Sequence, residues 1–238
     1  MSDLSETTDL MTLEEANLPA TMDDLSDMLP STEEAKELDN LATGKFLPRL
    51  QLGDSNSTAV KEGRMAQGEY AIISGQDVIP IGKVVTAIPV ALRLKALDLS
   101  NTESPVSVYD FKSDAFNDIR QRSSIKDSKC MVGGEFLLWL PQSRKFCTYY
   151  MASASAKREM PNLKGILYAH GVASLSSMLA KKKPYVWTAP LVKPSTSPLS
   201  PEDMPSKADL MAEVERFKNP VEGKAPELAD TTATGRER

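Results

Sequence analysis

The sequence predicts a mainly β body, β-rich α+β in class, over residues 43–193, set between two ends of different character. Three observations carry this. Runs rich in β-branched and aromatic residues recur through the body, short turn signals punctuate them, and composition changes abruptly on either side. With 238 residues and 41% apolar content, the chain has material for a genuine core.

Residues 1–42 contain no aromatic residue and are dominated by Asp, Glu, Ser, Thr and Met. Such a segment buries too little apolar surface to offset chain entropy, so disorder is expected there. Ser31 followed by Glu34 supplies a capping box for one short helix. The first strand signal with a clear end is Glu69–Ile73, closed by Ser74-Gly75-Gln76-Asp77. Val84–Leu94 follows, β-branched and apolar, its latter half placing Val90, Leu92 and Leu94 on one face. Ser113 then caps a predicted helix over Asp114–Arg122 with Ala115, Phe116 and Ile119 inward. Glu135–Leu140 and Lys145–Met151 form a hairpin around the four-residue loop Pro141-Gln142-Ser143-Arg144. Strand geometry puts Phe146, Thr148 and Tyr150 on one side of its second arm, and Cys147, Tyr149 and Met151 on the other. Each side carries an aromatic, so one is core and the other must be covered or used.

Pro161 at a first helical position predicts a short helix through Leu163, Ile166 and Leu167 that closes near Gly171. The stretch after it, residues 172–192, is ambiguous: Leu175, Met178 and Leu179 fit a helix, whereas Tyr185-Val186-Trp187-Thr188 fits a strand, and strand is favoured for most of it. From Pro194 the chain is expected to be a proline-rich linker through residue 238. It carries one amphipathic helix near Ser206–Phe217, with Leu210, Val214 and Phe217 on a stripe.

Charge is distributed unevenly. Residues 1–42 hold 12 acids and one base, net −11, whereas residues 43–194 hold 21 bases and 12 acids, net +9. The remaining residues are net −3, which gives the overall −5. A basic body beside an acidic tail fits a polyanion-binding domain with solvated ends. The basic residues also neighbour rings. Arg144-Lys145 and Lys157-Arg158 flank Phe146 and Tyr150, and Lys181-Lys182-Lys183 leads into Tyr185 and Trp187. Lys45, Arg49, Lys61 and Arg64 add a basic edge around Phe46. Single-stranded nucleic acid is held by such a combination, with cations along phosphates and bases stacked on rings for ~1–3 kcal/mol each. Trp139, between leucines, is expected in the core.

Enzymatic signatures are sparse. The sequence has no GxxxxGK[ST], GxGxxG, HExxH or GxSxG, and His170 is its one histidine. Its expected place is a loop or helix end beside Gly171. Cys130 and Cys147 read as a reduced pair in a cytosolic fold. Asp110, Asp114 and Asp118, spaced by four, could line a helix face and hold Mg²⁺ for phosphodiester chemistry. The competing account needs no metal: acids favour a helix N-terminus, and Arg120 and Arg122 suit its other end. No stretch reaches the ~18–20 apolar residues of a membrane span, and the acidic start lacks a signal peptide's basic and apolar regions.

At GKFLPRLQLGDSNSTAVKEG (44–63) and KKKPYVWTAPLV (181–192) the chain resembles tailed-bacteriophage proteins of early or replication type. The layout over about residues 44–200 is similar to phage single-stranded DNA-binding proteins: an OB-like body with cations and rings, and an acidic flexible tail. Those proteins usually carry that tail at the C-terminus, whereas the stronger acidic segment here is N-terminal. The resemblance implies a role in DNA replication or recombination in an infected cell.

The expectation is therefore an OB-like barrel with one or two helices, located in the host cytoplasm. It binds single-stranded DNA regardless of sequence, catalyses nothing, and needs no cofactor or metal. Phosphate contacts are expected from Arg144, Lys145, Lys157, Arg158, Lys181, Lys182 and Lys183, and stacking from Phe146, Tyr150, Tyr185 and Trp187. Replication or recombination proteins are its expected partners, no membrane is, and self-association is left open. A virion or assembly protein and a metal-dependent nuclease are the alternatives. If the acidic tail imitates a nucleic-acid backbone, deleting residues 1–42 should tighten oligonucleotide binding, most at low salt. Fluorescence anisotropy of the deleted and full chains measures this, and unchanged affinity would remove the idea.

Overall fold

The computed structural model describes residues 47–101, 105–196 and 199–219, with the Tyr185 side chain left aside. The expectations for residues 1–42, and for Lys45 and Phe46, lie outside the described residues. So does that part of the linker beyond 219.

In chain order the elements begin with β1 (Arg49–Leu52), α1 (Thr58–Lys61), β2 (Tyr70–Ser74), β3 (Asp77–Gly82), β4 (Val85–Asp98) and β5 (Val106–Val108). They continue with α2 (Asp114–Arg122), β6 (Cys130–Leu140), β7 (Lys145–Met151), α3 (Ala154–Tyr168), β8 (Ala173–Lys182) and β9 (Tyr185–Pro194). A 3₁₀ turn at Pro201–Asp203 precedes α4 (Lys207–Lys218). The β-rich class is as expected. The strands form one nine-stranded sheet in the order β3-β2-β1-β7-β6-β4-β8-β9, with β5 beside β4. That is more than the five strands of an OB barrel. The β1–β7 contact is parallel and the other pairings are antiparallel.

The sheet curls until its two halves touch. The Tyr70 hydroxyl on β2 donates to the Ser176 carbonyl on β8 at 2.9 Å, and Ser177 Oγ donates to the Gly68 carbonyl at 2.8 Å. Thr188 N on β9 donates to Asp54 Oδ1 at 3.2 Å. Inside the curl lies the main core, with Tyr70, Phe136, Leu138, Tyr149, Met151 and Leu175 among its buried members. Helix α3 seals it through Ala156, Leu163 and Ile166. Each such aromatic or aliphatic side chain contributes about 1.5–3 kcal/mol by leaving water.

The β6–β7 hairpin has the expected four-residue loop, with Leu140 opposite Lys145, and Cys147, Tyr149 and Met151 face the core. β4 departs from simple alternation. A bulge between Pro89 and Ala91 resets the pleat, so Val85 and Ala87 face the core before it and Leu92 after it. Leu94 shares the Leu92 face, as expected, but is exposed. Pro89 has no N–H to give the ladder, and a bulge is where a sheet tolerates that.

Helix α2 starts at the expected Ser113, whose side chain accepts from Phe116 N. Phe116 and Ile119 are buried, but Ala115 is exposed. Helix α3 corrects the expectation for Pro161. Ser153 caps it by accepting from Ala156 N, eight residues earlier, and Pro161 lies within the helix. The helix formers Ala154 to Met160 carry the chain through one position that supplies no N–H. At the other end His170 adopts φ of 51°. His170 N donates to the Leu167 carbonyl at 3.1 Å and Gly171 N to that of Ile166 at 2.9 Å, which completes a Schellman closure. The single histidine is thus a helix-end residue beside Gly171, as expected.

Candidate nucleic-acid interface

Residues 173–182 and 185–194 fold as strands, and the hairpin they form presents the lysine triplet. β8 pairs with β4 only over Ala173–Leu175, whereas its pairing with β9 runs on to Lys182 opposite Tyr185. The outer half is therefore a two-stranded ribbon, turning at Lys183-Pro184. Lys181, Lys182 and Lys183 are all exposed. Cross-strand partners share a face, so Lys182 lies on the same side as Ala180, Trp187 and Met178. Trp187 is half-buried, and its indole N–H makes no hydrogen bond among the described residues. Met178, Leu179 and Val186 are all exposed along the same ribbon.

The other cations stand apart. Arg144 and Lys145 are exposed at the β6–β7 turn, with Arg144 in the left-handed region at φ 50°. Lys157 and Arg158 are exposed on α3, beyond the opposite end of β7. The seven residues of β7, roughly 20 Å of strand, lie between the turn that carries one pair and the helix that carries the other. The sequence places these pairs on either side of a ring cluster, and the fold separates them.

Phe146 and Tyr150 lie on the β7 face that points away from the main core, and that face is largely taken. Phe146 is half-buried against Trp139, its cross-strand neighbour, with ring centroids 4.8 Å apart. Trp139 is buried, as expected, and its Nε1 donates to the Asp203 carbonyl at 2.7 Å. The Tyr150 hydroxyl sits 3.1 Å from the carbonyls of both Lys95 and Met131, and the Lys95 ammonium lies 5.3 Å from its ring centre. Tyr150 is therefore an anchored ring that already meets a cation of its own chain.

A charge cluster that sequence reasoning did not anticipate lies next to it. Glu135 on β6 is only 3% exposed and opposes Arg93 on β4. Arg93 Nε and Nη2 reach Glu135 Oε2 at 2.7 and 2.5 Å, and Lys95 Nζ reaches Oε1 at 2.9 Å. Burial alone would lower the Lys95 pKa, but the Glu135 carboxylate outweighs it and holds the ammonium above its ordinary value. The Arg93 guanidinium is sandwiched between the Tyr109 ring, 3.9 Å away, and the Phe217 ring of α4, 4.1 Å away. Arg93 Nη1 also donates to the Phe217 carbonyl. The proline-rich segment thus runs back over the sheet, and its helix docks there. The signal was present in the sequence: Arg93, Lys95 and Glu135 interrupt apolar strands, where a charge persists only if paired.

Asp114 lies in the first turn of α2, and the other two aspartates of the set are engaged elsewhere. Asp118 pairs with Arg122 at 2.7 Å, and Arg122 also holds Asp98 at 2.6 Å. Asp110 Oδ1 accepts from Lys112 N. Among the described residues no group of three or more His, Cys, Asp or Glu side chains is placed to hold a metal ion. Cys130 and Cys147 are free thiols, both buried, and burial pushes the Cys147 thiol up to about 12. No described helix is long and apolar enough to cross a membrane. No known protein family, curated protein or solved structure matches this chain.

Proposed function

We propose that this protein binds single-stranded DNA without regard to sequence, catalyses no reaction, and serves phage DNA replication or recombination in the host cytoplasm. The observation that carries the reading is the β8–β9 ribbon, where three exposed lysines adjoin the half-buried Trp187, on the face that Lys182 shares. Such a ribbon can lay phosphates along the lysines while a base stacks on the indole. Arg144-Lys145 and Lys157-Arg158 would extend the path as separate contacts with a longer strand, and replication or recombination proteins would be its partners.

The test is fluorescence anisotropy with labelled single- and double-stranded oligonucleotides over a salt series. Single strands should bind more tightly, with a steep salt slope and no cleavage. Replacing Lys181, Lys182 and Lys183 together with Ala should flatten the slope by about 2, since each lost phosphate contact removes ~0.7 on single strands. Equal affinity for both strand forms, or an unchanged slope in the triple variant, would count against the ribbon.

The exposed apolar side chains Met178, Leu179 and Val186 favour a second reading, an assembly protein in which the ribbon packs on further copies. That reading predicts stable oligomers whose formation ignores added oligonucleotide, as sedimentation velocity would show.

A further inference from the structure

We infer that Arg93 and Tyr109 form a second nucleotide subsite, closed in this structure by Phe217 of α4 and opened when the end of that helix lifts. The inference rests on the single-strand reading above. It starts from what Phe217 offers to Arg93: one ring stacked on the guanidinium at 4.1 Å, and one oxygen accepting from Nη1. A nucleotide offers the same two groups, a base to stack on the guanidinium plane and a phosphate oxygen to accept from its edge.

The rest of the slot does not depend on α4. Glu135 holds Arg93 through Nε and Nη2, and the Tyr109 ring backs it at 3.9 Å, so the guanidinium keeps its plane when Phe217 leaves. Lys95 stands on the other oxygen of Glu135, so two positive charges face one negative, and the slot is net cationic. An anion is the complement it lacks. Phe217 is the one buried side chain of α4, so the cover is held mainly at that end, while Leu210 and Val214 are half-buried and Met211 is 60% exposed. Apparent affinity for a site of this kind is the intrinsic affinity reduced by the fraction of molecules that are open.

The test uses the full chain and a fluorescein-labelled oligothymidylate, comparing wild type, Phe217→Ala, and Phe217→Ala combined with Arg93→Lys. Phe217→Ala should bind at least about five-fold tighter by relieving the closed state. Arg93→Lys should cancel that gain, because an ammonium offers no plane for stacking. Wild type that binds while Phe217→Ala binds no tighter overturns the subsite and leaves the ribbon reading standing. Failure of both to bind removes the two together. Hydrogen exchange on the wild type gives an answer without any variant. Residues 207–218 should exchange faster once the oligothymidylate is bound, and unchanged exchange in a chain that binds it overturns the inference.

Discussion

Replacing Glu135 with Ala is expected to cost on the order of 3–5 kcal/mol of folding stability, because it strands two cations in a buried site. Glu135 is 3% exposed, and both of its oxygens are engaged, one by Arg93 and one by Lys95. Removing the carboxylate leaves Arg93 between two rings and Lys95 against Tyr150, with no negative charge to balance either. In a body of this size the loss should lower the midpoint of a thermal melt by roughly 10 °C, as followed by circular dichroism. Exchanging all three charges together for apolar residues of similar volume should be far milder, since no unpaired ion remains. The raised Lys95 pKa fixes the pH dependence. Its contribution is intact below the ordinary value of 10.5 and is lost only as pH rises through the higher folded value. A drop of less than about 2 °C for Glu135→Ala would mean that water reaches the cluster and compensates the charges.

This cluster also explains which parts of the fold could be read from the sequence. The β6–β7 hairpin, α2 and α4 were legible because their signals are local: an apolar alternation around a four-residue loop, Ser113 at a cap, and Leu210, Val214 and Phe217 on one stripe. The start of α3 was not. Pro161 suits a first helical position, and that local preference outweighed the quieter cap at Ser153. The β4 register escaped for a similar reason, since one bulged residue exchanges the faces of everything after it. Least legible was the fate of the outer sheet face. Phe146 packs on Trp139, which is held by Asp203 more than fifty residues further along, and Tyr150 is anchored by Lys95, fifty-five residues earlier. No local pattern reports such contacts. The lysine ribbon differs because its tip projects beyond the strands of the main sheet, so the exposure of Lys181–Lys183 needs no long-range partner.

Gly133→Ala should approach the loss of the buried acid in its cost, by a purely steric route. Gly133 sits in β6 opposite Lys95 of β4, where β7 leads into α3 on its other side. A Cβ there would lie 2.3 Å from the Met151 carbonyl oxygen and 2.8 Å from Ala152 Cα. Both are backbone atoms, so no side chain can turn aside to make room. Relief requires prising β7 from β6 or shifting the first turn of α3, whose Ala156, Leu163 and Ile166 close the core. Overpacking of this kind costs about 3 kcal/mol or more where the backbone must move. Two neighbouring experiments calibrate the claim. At Gly134 the new methyl would meet Met160 Sδ at 2.7 Å and Leu92 Cδ1 at 3.1 Å, both on flexible side chains, so Gly134→Ala should lose less. At Gly165, within α3, nothing lies within 4 Å of the added carbon. Gly165→Ala should therefore stabilise the protein by roughly 0.8–1 kcal/mol through helix propensity alone. Urea midpoints should fall in the order Gly165→Ala, wild type, Gly134→Ala, Gly133→Ala. A Gly133→Ala midpoint equal to that of Gly134→Ala would show that β6 and β7 have room to separate at this end, and that the close approach of β6 to the β7–α3 junction does not fix the position of α3.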